Sequence, residues 1–83
     1  MAGTADHYVL DLGALLKEKA LEAKAQASAA AGSPEHQFEL GRSMAYYEVL
    51  SLMTQQADAF GLPRAALSLR DFDPEVDLLT PKI

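Results

Sequence analysis

The chain contains no cysteine and no tryptophan in 83 residues. Without cysteine there is no disulfide, no zinc–thiolate centre and no thiol nucleophile. Positive charge is scarce: 7 Lys and Arg stand against 12 Asp and Glu, a net charge of −5. Nucleic-acid binding draws most of its affinity from cationic contacts to phosphate, so an acidic chain argues against that class. The only basic strip, Lys17, Lys19 and Lys24, is interleaved with Glu18 and Glu22 and reads as a solvated helix face. No apolar run approaches the roughly 18 residues of a membrane span. The N-terminal residues Met1-Ala2-Gly3-Thr4-Ala5-Asp6 lack the basic and apolar regions of a secretory signal. These absences predict an acidic, soluble, cytoplasmic protein with no membrane partner.

Motifs of catalysis are missing as well. There is no glycine-rich phosphate loop, and Ser43, Ser51 and Ser68 lie outside any nucleophile-elbow pattern. The two histidines each have a carboxylate at helical spacing, His7 with Asp11 and His36 with Glu39. Two ligands make a weak site, and the Glu-x-x-His pattern of di-iron bundles is absent because Ser33 stands three residues before His36. Asp71, Asp73, Glu75 and Asp77 alternate like the first ligands of a calcium loop. The sixth position, which needs Gly, holds Val76, and the twelfth, which needs Glu, holds Lys82. The reading is a non-catalytic protein with no cofactor and no metal.

Glycine and proline are few, 5 and 4, and they punctuate the chain. Gly32-Ser33-Pro34 separates two long apolar-patterned segments, and Gly61-Leu62-Pro63 closes the second. Short breaks fold consecutive helices antiparallel. The predicted fold is therefore all-α in a single domain spanning 1–83. Helix 1 covers about 5–31 and helix 2 about 34–60 in a long hairpin. A short helical turn follows at about 63–69, then an extended tail over 70–83. Thr4 or Asp6 suits the first N-cap, and Ser33 followed by Pro34 suits the second. In the tail, strict alternation places Phe72, Pro74, Val76 and Leu78 on one side and the acids on the other. Pro74 argues for an arm laid over the bundle, on its own hairpin or a neighbour's, rather than a sheet strand. Phe72, Val76 and Leu78 are its expected contacts, and Thr80 to Ile83 are expected to fray.

Helix 1 carries Tyr8, Val9, Leu12, Leu15, Leu16, Ala20, Ala23, Ala27 and Ala30 at helical spacing, interrupted by Gly13. Helix 2 has more apolar residues than one neighbour covers. Phe38, Ala45, Val49, Leu52 and Gln56 form one face; Leu40, Met44, Tyr47 and Leu50 form another; Tyr46, Met53, Ala57 and Phe60 lie between. Facing positions in the hairpin should have residue numbers adding to about 65. That pairs Leu16 with Val49, Leu12 with Met53 and Ala27 with Phe38, and sets Ala20 and Ala23 against Ala45 and Gly41.

The surplus apolar residues Phe38, Leu40, Met44, Tyr46, Tyr47, Leu50, Met53 and Phe60 are the candidate interface of a homodimer, two hairpins forming a four-helix bundle. Glu48, close to the predicted apolar face, is the candidate buried polar residue, with Arg42, Lys17, Lys19 or a tyrosine as partner. The leading functional expectation is a homo-oligomeric interaction, adaptor or regulatory module that binds protein through a helix face or the tail. One alternative is a nucleic-acid-binding regulator, which requires Lys17, Lys19, Lys24, Arg42 and Arg64 to converge in a dimer. The other is a small-ligand or metal site in the bundle core around Glu48 and the tyrosines.

Overall fold

The first helix, α1, spans Thr4–Ala29 in a computed structural model that describes residues 3–79. Its Ala, Leu, Lys and Glu content favours helix throughout. Asp6 in the first turn complements the positive helix end, and its carboxylate accepts the Gly3 N–H at 2.9 Å, so it closes the N-terminus from within. The helix stops two residues before the expected end. Gly32 adopts φ +84, and the Ser33 N–H and hydroxyl both donate to the Ala30 carbonyl, at 2.9 and 2.7 Å. Ser33 thus closes the first helix rather than capping the second. The second helix, α2, accordingly starts later than Pro34 and spans His36–Ala59.

At the turn, His36 Nδ1 lies 3.1 Å from the Ala27 carbonyl. A carbonyl only accepts, so the ring nitrogen donates. Nearly two turns on, Arg42 donates to the Gln26 side chain. These two contacts fix the antiparallel register close to that expected. At the far end, Gly61 has φ +70, Leu62 N–H returns to the Ala57 carbonyl at 2.8 Å, and Gly61 N–H to Asp58 at 3.1 Å. This is a Schellman closure, and it aims the chain back towards α1.

Beyond it, a single 3₁₀ turn, Arg64–Leu67, crosses α1. The crossing is very close: a Cβ built on Gly13 would lie 1.8 Å from the Leu67 carbonyl oxygen. Gly13, which in the sequence looks like a flaw in the helix, is the notch that admits the tail. Ser68 follows with φ +60, and its hydroxyl donates to the Leu10 carbonyl at 2.7 Å.

The core explains why the tail is needed. α1 contributes only Gly13, Ala20, Ala23 and Ala27 to its buried set, and α2 contributes Ser43, Leu50, Thr54 and Ala57. Such small residues leave a channel along the hairpin. Leu67, Leu69, Phe72 and Leu78 fill it and complete a cluster with Ala20, Leu50 and Ala57. Leu16, Tyr46, Tyr47 and Met53 pack around that cluster. Lys17 lies over the Phe72 ring at 5.9 Å, and Lys24 Nζ donates to the Asp77 carbonyl at 2.7 Å, so α1 clamps the tail along its length.

The tail departs from the expected extended arm. Phe72, Pro74 and Leu78 are buried as predicted, but Val76 is 60% exposed. The alternation ends because Glu75–Leu79 forms one π-helical turn. Asp73 initiates that turn: its carboxylate accepts the Glu75 N–H at 2.9 Å and the Val76 N–H at 3.4 Å. Asp77 accepts the Asp73 N–H at 2.8 Å. Asp73-Pro74-Glu75 is an N-cap, a first-position proline and a first-turn acid, a helix-start signal that the alternating pattern hides. Asp73→Ala should cost about 1 kcal/mol. It should speed amide exchange at Glu75 and Val76 while leaving exchange in the hairpin little changed. The end expected to fray, Thr80 to Ile83, lies outside the described residues.

Candidate functional site

The two long sides of the hairpin differ in what covers them. Gly13, Lys17 and Lys24 share one side of α1, at helical spacing, and all three meet the tail. Gln26 lies on another side of α1, in line with Glu22, Lys19, Leu15 and Tyr8. Arg42, which reaches Gln26, lies on the side of α2 that also carries Phe38, Ala45 and Val49. The Arg42–Gln26 contact therefore joins these two rows into one face, away from the tail.

This uncovered face is strongly apolar in its open half. Tyr8 is 65% exposed, Leu52 57% and Phe60 76%, and Leu12, Leu15 and Val49 are also exposed. Phe38, 69% exposed, stands at the turn end. Gly41 and Ala45 lie exposed beside it, and nothing approaches within 4 Å of a Cβ built on Gly41.

The sequence assigned the two faces of α2 the other way round. Leu50, expected at an intersubunit surface, is fully buried, and Tyr46, Tyr47 and Met53 pack against the same intrachain core. Of the predicted interface, Phe38, Leu40, Met44 and Phe60 are exposed. Conversely Val49, Leu12 and Phe38 are exposed rather than facing partners within the hairpin, so the pairings Leu16–Val49, Leu12–Met53 and Ala27–Phe38 do not form its core. Ala20 and Ala23 are buried, but not against Ala45 and Gly41, which are both exposed. The physical reason is the tail. Once Leu69 and Phe72 lie in the channel, the hairpin gains most by turning Leu50 towards them.

Glu48 is corrected for the same reason. The rotation that buries Leu50 places Glu48 in solvent. Glu48 is thereby separated from Tyr46 and Tyr47, which pack against the buried cluster. Lys17 and Lys24 are on the tail side, Lys19 is on the uncovered face, and Arg42 and Arg64 pair with Glu39 and Asp58 at 3.3 Å. Of the histidines, His36 is held by a backbone carbonyl, and His7 and Asp11 border an open hollow with Thr4, Tyr8 and Ser68. Asp73 and Asp77 bind backbone amides, and no group of three or more His, Asp or Glu is placed to hold a metal among the described residues. No helix among the described residues is long and apolar enough to cross a membrane.

The uncovered face is thus the feature of this molecule with most to offer a partner. Neither protein-family models, nor curated proteins, nor solved structures give a match to the chain.

Proposed function

We propose that the protein is a non-catalytic interaction module, and that it self-associates through the uncovered face, two hairpins forming a four-helix homodimer. The observation that carries this reading is the row of large apolar side chains, Tyr8, Leu12, Leu15, Val49, Leu52 and Phe60, on the side the tail leaves open. Singly exposed apolar residues are ordinary, but a contiguous patch marks an interaction surface.

The molecule, 49 Å long and 20 by 18 Å across, is a rod whose length lies along that face.

Solution mass by light scattering, measured over a wide concentration range, tests the proposal. The expected result is a dimer that dissociates on dilution, with Leu52→Glu monomeric and still helical. A monomer at every concentration, with mass and elution unchanged by Leu52→Glu, would overturn it.

A further inference from the structure

Resting on the self-association reading above, we infer that the tail, residues 64–79, is a rotational lock on the interaction face. Its docking in the channel holds α2 with Val49, Leu52 and Phe60 outward, so tail docking and dimer formation are linked.

α2 offers two apolar sides, and the interior takes one of them. Leu50 is fully buried, whereas Val49 and Leu52 are exposed on the uncovered face. Leu50 and Leu52 lie about half a turn apart, so no rotation of the helix buries both. The tail selects between them. α1 buries only Gly13, Ala20, Ala23 and Ala27. The cluster around Leu50 takes Ala20 alone from α1, but Leu67, Leu69, Phe72 and Leu78 from the tail. The bulk that stabilises Leu50 facing inward therefore comes from the tail.

With the channel empty the preference reverses. Leu50 then faces a gap lined by alanines. The contacts of His36 with Ala27 and of Arg42 with Gln26 set the levels along the rod. Both helices rise equally per residue, so Leu12 stands level with Leu52, and Leu15 and Leu16 with Val49. Turned towards those leucines, α2 buries the apolar row that it otherwise presents, and the face is lost.

The fastening of the tail suits this role. It leaves α2 through Gly61, Leu62 and Pro63, all exposed. It is then held along α1: Gly13 admits the Leu67 carbonyl, the Ser68 hydroxyl donates to Leu10, Lys17 lies over Phe72 and Lys24 donates to the Asp77 carbonyl. A segment joined to one helix and fastened along the other sets the rotation between them. Only the docked form then carries the face, and association in turn holds the tail in place. Anything that draws the tail from the channel switches the face off.

Amide exchange in the unaltered full chain, measured over a wide concentration range, tests this. The Leu69 and Phe72 N–H groups are bonded to the Arg64 and Leu69 carbonyls at 3.0 and 3.3 Å. They should exchange faster than the α2 amides around Leu50, because the tail opens without the hairpin unfolding. Above the dimer dissociation constant they should also slow about tenfold for each hundredfold rise in concentration, because opening requires monomer, whose share falls as the square root. Ser68→Ala and Phe72→Leu lie off the uncovered face and loosen the tail. Each twofold fall in the docked fraction should raise the dimer Kd about fourfold, because both copies must be docked. A dimer whose tail exchanges faster than the hairpin at a rate independent of concentration, with Kd unmoved by the tail variants, would overturn the lock and leave the dimer standing. A chain that is monomeric at every concentration would overturn both.

Discussion

Gly13→Ala should destabilise the protein by about 2 kcal/mol and release the tail, although alanine is the better helix former. The favourable term is known: Ala for Gly inside an exposed helix contributes up to about 1 kcal/mol. The opposing term is steric. The new methyl would lie 1.8 Å from the Leu67 carbonyl oxygen and 2.8 Å from its carbonyl carbon. Backbone cannot rotate away as a side chain does, so the 3₁₀ turn must move outward by more than an ångström. That draws Leu67 and Leu69 from the channel, and overpacking of this kind costs about 3 kcal/mol. Gly41→Ala is the internal reference. Nothing lies within 4 Å of its Cβ position, so the propensity gain should appear undiminished, up to about 1 kcal/mol of added stability. Thermal unfolding of the two variants should therefore move in opposite directions, with Gly13→Ala lowering Tm by about 10 °C. Early proteolysis between Gly61 and Asp71 in Gly13→Ala alone would place the damage in the tail. Equal stabilisation by both substitutions would mean that the tail does not cross α1 at Gly13.

That pair of glycines also shows how far the sequence can be read. Gly32 and Gly61 were legible as helix stops because each takes a positive φ that its neighbours avoid, and proline follows closely. The hairpin, its register and the short turn after Pro63 follow from such local chemistry. Gly13 and Gly41 carry no local sign of their difference. One is buried under a carbonyl and the other faces solvent, and the distinction depends on a segment more than fifty residues away. The assignment of faces on α2 failed for the same reason. Apolar residues stand on both of its sides, so periodicity alone allows either to turn inward. Matching large residues across two helices favoured Leu16 with Val49, yet α1 has too little bulk to make a core from two helices alone. The missing bulk was already visible in Leu67, Leu69, Phe72 and Leu78. They are part of the interior rather than an arm laid over a finished bundle. Glu48 follows Leu50: with Leu50 turned inward, the carboxylate two residues before it faces solvent.

Leu50→Ala should abolish cooperative folding, whereas Leu52→Ala should leave the fold intact and weaken only association. The two leucines are half a turn apart on one helix and identical in chemistry, so the contrast isolates environment. Leu50 is fully buried among Ala20, Leu69 and Phe72 and their neighbours, and Leu52 is 57% exposed on the uncovered face. Truncating a buried leucine costs about 2–5 kcal/mol, more where the surroundings cannot collapse into the space. Here collapse is hindered, because the opposing α1 surface is already at alanine, and the loss falls in the upper part of that range. A domain of this size has about 5 kcal/mol or less to lose. Leu50→Ala should then lack a sigmoidal urea transition at 25 °C and bind a hydrophobic dye. Leu52→Ala should keep the urea slope of the unaltered chain, with a midpoint lower only at concentrations where the dimer forms. Dilution separates the two losses, since an unfolded core stays unfolded at every concentration and a weakened interface does not. The opposite pattern, Leu52→Ala unfolding and Leu50→Ala merely loosening the dimer, would restore the rotation in which Val49 and Leu52 face α1 and would remove the uncovered face as an interaction surface.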